Sequence, residues 1–223
     1  MRDSYARFFS EGFITKEQFF KFGLEDVIFA PIKGSEEGWN QLKSNIKNKE
    51  KVFIRGFGRD AKGTVLYQEF YERMLGIKIK KDPTNNARPT KIIKELTGYS
   101  KTKNSSYELI RNYQVSHIFG RTKNIYAFTA PWNIVYMPKM LDPFTGHEAK
   151  GEMIGEFTTL FQKKAYEKFT PLIDDFNKII TSEIFKDKMD NCLSSLESDS
   201  SFDEKDIKKL RASVKNEFMP ITI

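Results

Sequence analysis

The chain contains two histidines in 223 residues, His117 and His147, with Asn133 between them. They sit in three short strings: Val115-Ser116-His117-Ile118-Phe119-Gly120-Arg121-Thr122-Lys123-Asn124, then Pro131-Trp132-Asn133-Ile134-Val135-Tyr136, then Asp142-Pro143-Phe144-Thr145-Gly146-His147-Glu148. Imidazole has an unperturbed pKa of about 6.5 and is the commonest metal ligand when neutral. One histidine can therefore accept a proton while the other holds a metal ion. Metal-assisted phosphodiester hydrolysis needs that pair of roles.

The elements that must position these residues follow from pattern. Tyr113 to Phe119 alternates as a strand, Asn124 to Phe128 begins the return, and Trp132 to Met137 is a second apolar extended segment. Asp142 to Gly146 is a turn bounded by proline and glycine. His147 is expected to open a helix to about Phe169, with Met153, Phe157, Leu160, Phe161 and Ala165 on its buried stripe. A further helix is expected over 171–190, entered at Pro171, then a serine-rich acidic loop from Leu193 to Glu204 and a basic terminal helix from Lys205 to Asn216.

The region before residue 100 is mainly helical by the same criteria. Thr15-Lys16-Glu17-Gln18 is a capping-box pattern, and Gly23 is placed to end the turn it opens. Glu36 to Lys49 is amphipathic, with Trp39, Leu42 and Ile46 on one face. Lys51 to Phe57 reads as a buried strand, Thr64 to Leu75 and Pro89 to Leu96 as helices, and Lys78 to Arg88 as a polar connector. Gly56, Gly58 and Gly63 match neither the dinucleotide fingerprint nor a P-loop. Polar linkers mark out an expected division into a mainly helical region 1–100, a core 101–170, and a helical extension 171–223.

Composition narrows the partners. Thirty-seven Lys and Arg against thirty Asp and Glu give a formal charge of +7, which favours a polyanion through counterion release. Cys192 is the single cysteine, which excludes an intrachain disulfide and a Cys-x-x-Cys zinc knuckle. No apolar run approaches the ~20 residues that span a bilayer, and the N-terminus is unlike a signal peptide, so a soluble cytoplasmic protein is expected.

Strand with His117, strand with Asn133, helix with His147: this order resembles the His-Asn-His (HNH) nucleases of the ββα-metal class over roughly residues 107–170. The resemblance implies an α+β fold in which a ββα-metal core is embedded in a mainly helical protein with a short N-terminal strand region. It also implies that His117 is the general base, that Asn133 holds the base loop, and that His147 binds one divalent ion, Mg²⁺ or Mn²⁺. Ser116 stands where the family often has an acid or histidine, so Asp142 is the candidate second ligand, with Glu148 behind it. Asn133 to His147 spans 14 residues, longer than usual for the family, with Pro138 and Pro143 inside the gap. Arg121 and Lys123 are the candidates to grip flanking phosphates. The implied activity is hydrolysis of double-stranded DNA to 5′-phosphate and 3′-hydroxyl ends by a restriction or phage-defence enzyme, with a homodimer as one arrangement.

Two other readings compete. In one the histidines are structural and the protein binds single-stranded DNA or RNA through charge and aromatic stacking, without cleavage. In the other the chemistry lies in residues 50–90, around Arg55, Arg59, Asp60 and Glu69.

Overall fold

A computed structural model describes residues 3–56, 61–145 and 149–223. In chain order the described elements are helices α1 (Ser4–Ser10) and α2 (Lys16–Asp26), strand β1 (Ile28–Phe29), helix α3 (Ile32–Lys47), strand β2 (Phe53–Ile54), helix α4 (Ala61–Leu75), strand β3 (Lys80–Lys81), helix α5 (Ala87–Thr97), strands β4 (Tyr99–Ser100), β5 (Glu108–Leu109) and β6 (Tyr113–His117), a 3-10 turn (Pro131–Asn133), strand β7 (Ile134–Pro138), a second 3-10 turn (Asp142–Thr145), and helices α6 (Glu152–Thr181), α7 (Glu183–Glu197) and α8 (Glu204–Glu217). The class is α+β, with helix predominant.

β6 and β7 pair antiparallel in one continuous register, from Tyr113 opposite Pro138 to His117 opposite Ile134. β1 pairs antiparallel with the other side of β7, so the order is β1-β7-β6 and β6 lies at an edge. Side chains alternate along β7. Val135 and Met137 pack with Phe157 and Phe161 of α6 on one face, and Ile134 and Tyr136 pack with Ile93 of α5 on the other. Both faces are covered, which is why this segment reads as an unbroken apolar run. Each fully buried side chain of this size contributes about 1.5–3 kcal/mol.

Several elements follow directly from local chemistry. The capping box at Thr15 is complete: Thr15 Oγ1 accepts from Gln18 N at 3.1 Å, and Gln18 Oε1 accepts from Thr15 N at 3.0 Å. Trp39, Leu42 and Ile46 are buried along α3, and the Trp39 indole and Lys43 ammonium both donate to Asp175 Oδ2, tying α3 to α6. Gly98, in the left-handed conformation (φ 75°), ends α5.

Other expectations are corrected. Gly23 does not end α2; it is buried within the helix, where an added Cβ would come 2.7 Å from Leu141 Cγ. The glycine there permits close approach rather than termination. Of the strand expected over 51–57, Phe53 and Ile54 are the strand among the described residues, pairing parallel with Lys80 and Lys81 inside the supposed connector; Phe57 lies outside the described residues. The return expected at 124–128 is a series of turns, because Asn124 Oδ1 accepts from Tyr126 N at 2.8 Å and Asn124 Nδ2 donates to Glu217 O at 2.9 Å. Such side chain–backbone bonds compete with a strand ladder.

The two helices expected on either side of Pro171 are present as the two halves of α6, joined across a kink at Phe169, whose φ of −119° and ψ of 20° are non-helical. Proline lacks the N–H and its ring crowds the preceding turn, so a kink is the expected cost. α6 begins at Glu152, later than the expected start at His147; His147 and Glu148 lie outside the described residues. α7 continues to Glu197 through the stretch taken for a loop, because Cys192, Leu193 and Leu196 carry its apolar stripe inward.

β1 completes the sheet that carries His117, and one hydrophobic cluster joins Trp39, Phe70, Trp132, Phe176, Leu193 and Val214. No helix among the described residues is long and apolar enough to cross a membrane.

Candidate functional site

His117 ends β6 at the base of a cavity of about 290 Å³, lined by Arg55, Asn85, Asn86, Gln114, Ser116, Thr122, Asp142 and Thr145 among others. Its ring is held on more than one side. Nε2 lies 2.9 Å from the Phe128 carbonyl oxygen, Nδ1 lies 3.3 Å from Arg55 Nη2, and the ring stacks on Phe128 at 5.3 Å between centroids. A carbonyl accepts only and a guanidinium donates only, so this pairing matches the neutral imidazole with its proton on Nε2. The Nδ1 lone pair then accepts from Arg55, which lines the same cavity.

Asn133 is fully buried just before β7 and spans the loop between the strands. Its Oδ1 accepts from Phe119 N at 2.9 Å, and its Nδ2 donates to Gly120 O at 2.9 Å and Ala127 O at 3.1 Å. One amide thus ties the first residues after His117 to the segment that carries the Phe128 carbonyl. The asparagine positions the histidine through the loop, without touching the ring.

Asp142 lines the same cavity and accepts from Gln114 Nε2 at 3.0 Å. Thr145 lines it too, and His147 follows Thr145 by two residues in sequence. The structure brings His117 and Asp142 to one cavity; the position expected to hold a metal, His147, is outside the described residues. Among the described residues no three His, Cys, Asp or Glu side chains form a group able to hold a metal ion.

Arg121 and Lys123 are not presented as a phosphate grip. Lys123 is 8% exposed, and its ammonium donates to the carbonyls of Arg55 and Gly56, each at 2.9 Å. Burial pushes its pKa down to about 8, against the opposing pull of Glu217. Arg121 donates to the Asn216 carbonyl, and its Nε is buried without a hydrogen bond. Burial lowers its pKa, and burial raises that of Glu217, which accepts from Lys123 N at 2.9 Å. These side chains turn inward because they fasten the His117 loop to the C-terminal helix α8 and to the end of β2.

Arg55 was assigned by sequence to a separate centre, and the structure delivers it to His117 instead. Its Nε donates to the Asn85 carbonyl at 3.2 Å and its Nη2 to Asn86 Oδ1 at 2.6 Å, while Asn86 Nδ2 donates to the Val115 carbonyl on β6. The loop that supplies both asparagines wraps the fully buried Asp82, whose carboxylate accepts from the backbone N–H groups of Thr84, Ala87 and Arg88. The available signal was the turn-rich Asp82-Pro83-Thr84-Asn85-Asn86 string, but nothing in its spacing links it to residue 117. Glu69 pairs with Arg73 on α4 at 2.6 Å; Arg59 and Asp60 lie outside the described residues.

A family profile described as "Uncharacterised protein PM1201" matches residues 30–223. The chain belongs to the PM1201 family. The PM1201 protein of Pasteurella multocida (strain Pm70) is 45% identical over 192 residues, covering 85% of each chain. No solved structure matches the chain. The span matched by the PM1201 profile includes Arg55, His117, Asn133, Asp142 and His147, and leaves out α1 and α2.

Proposed function

We propose that this PM1201-family chain is a metal-dependent DNA endonuclease in which β6, β7 and the first half of α6 form an HNH-type ββα-metal core. The observation that carries the reading is His117: at the end of the first hairpin strand, it lines a polar cavity and is fixed by the Phe128 carbonyl so that Nδ1 is the acceptor of the ring. In the reaction His117 takes a proton from the attacking water at Nδ1. Asn133 holds the loop that orients the ring, and Ser116, Thr122 and Asn86 line the space a phosphodiester would fill.

Asp142 is the carboxylate that the described cavity offers to a cation, and with His147, which lies outside the described residues, it would make an oxygen-and-nitrogen donor set suited to Mg²⁺ or Mn²⁺. Bound there, such an ion would supply Lewis-acid stabilisation of charge on the phosphate. The formal charge of +7 supports a polyanionic substrate, and we extend the reading to double-stranded DNA cut by a cytoplasmic restriction or phage-defence enzyme. Incubation of plasmid and bacteriophage DNA with the protein and Mg²⁺ or Mn²⁺, with and without EDTA, tests it. Cleavage that EDTA abolishes is expected; intact DNA under all conditions overturns the reading.

A further inference from the structure

We propose that Arg55 is the anion-binding residue of the His117 cavity, taking a non-bridging oxygen of a phosphate or phosphodiester on its Nη1 side. The proposal rests on the nuclease reading for its choice of substrate, and on the geometry of Arg55 for the site itself.

Arg55 is tied down at its backbone, where its N–H donates to the Thr122 carbonyl at 2.9 Å, and along its side chain by Asn85 and Asn86. Nε and Nη2 are therefore occupied, whereas Nη1 makes no hydrogen bond among the described residues, and Arg55 lines the cavity. Arg55 also makes no ion pair among the described residues. Burial lowers its pKa, and the acids whose fields reach it are Asp82 and Glu217. Both Asp82 oxygens are spent on backbone N–H groups, and Glu217 Oε2 accepts from Lys123 N.

A largely buried cation held rigid without a carboxylate partner is an unfavourable arrangement unless an anion completes it. The planar fork of a guanidinium matches phosphate oxygens. An anion on Nη1 would lie beside His117 Nδ1, because the adjacent Nη2 is 3.3 Å from that nitrogen. Arg55 would thereby place phosphorus next to the base, and drawing the guanidinium toward the anion would free the Nδ1 lone pair for water.

The test uses inorganic phosphate with the full chain in EDTA, at constant ionic strength maintained with chloride. Binding is followed by the His117 ring NMR signals, assigned by the loss of one of two imidazole sets in His147→Ala. Saturable shifts are expected in the wild type, with affinity reduced about 10- to 100-fold in Arg55→Gln, the range of one lost charge-assisted bond. Arg55→Lys, which keeps charge and stem but loses the fork, is expected to bind about tenfold more weakly and carries the test if the glutamine variant does not fold. Absence of saturable shifts in the wild type, or wild-type affinity in either folded variant, overturns the proposal. No step in this measurement requires cleavage. Phosphate binding by a protein that leaves DNA intact would uphold Arg55 and sink the nuclease reading, whereas EDTA-sensitive cleavage with Arg55-independent phosphate binding would do the reverse.

Discussion

Arg55 Nη2 lies 3.3 Å from His117 Nδ1, although 62 residues separate them in the chain. The contact joins the end of β2 to the end of β6, and the Phe128 carbonyl meets the ring from its other nitrogen. A donor on one side and an acceptor on the other define which nitrogen carries the proton.

The first prediction concerns that proton. Nitrogen-15 NMR of the folded protein near pH 7 should show His117 neutral, protonated at Nε2. A ring protonated at Nδ1 alone would mean that the Arg55 and Phe128 contacts do not set the tautomer, and the base assignment would lose its footing.

Asn133→Ala should destabilise the fold by about 2 kcal/mol or more, since it leaves the half-buried Phe119 N–H and Gly120 carbonyl without their partner and the Ala127 carbonyl with only its bond from Ala130 N. Asn133→Asp should be no better, because a carboxylate cannot donate to those two carbonyls. Urea unfolding checks both; a change below about 0.5 kcal/mol would show that the loop is held by other contacts.

Lys123 gives a pH prediction with a definite sign. Its folded pKa is pushed down to about 8 by burial, below the ordinary value of 10.5. Between those values the unfolded chain binds the proton and the folded chain does not, so this group makes stability rise with pH across that window. The contribution is lost as pH falls through about 8. Lys123→Met removes it. Between pH 8 and 9.5 the stability of the wild type should climb relative to the variant by up to about 1.4 kcal/mol per pH unit. Parallel profiles would place the ammonium in solvent.

Asp142→Asn should weaken Mn²⁺ binding at least about tenfold by calorimetry, as loss of a charged ligand exceeds the 10- to 100-fold cost of losing its supporting shell. Unchanged affinity would move the ion elsewhere.

The sequence made the hairpin legible because both strands carry short apolar runs, and the turn at Asp142 because proline and glycine frame it. His117 and Asp142 line one cavity. The inward turn of Arg121 and Lys123 was not legible, since their partners are carbonyls at Arg55, Gly56 and Asn216, and a carbonyl leaves no mark on residue type. Nor was Arg55 at the site, because β2 and β3 are two-residue strands whose pairing is set by tertiary packing rather than by alternation. The break inside α6 was legible in Pro171, and it falls at the non-helical Phe169. The serine-rich end of α7 concealed a helix whose stripe is carried by Cys192, Leu193 and Leu196.

The most direct measurement is plasmid cleavage by the wild type and His117→Ala with Mn²⁺ or Mg²⁺, each with an EDTA control and with folding of the variant verified by its thermal transition. The account predicts EDTA-sensitive cleavage by the wild type and a rate about 10²–10⁴-fold lower in the folded variant, the range for losing a general base. A wild type that leaves DNA intact, or a folded His117→Ala that cleaves at the wild-type rate, would contradict it.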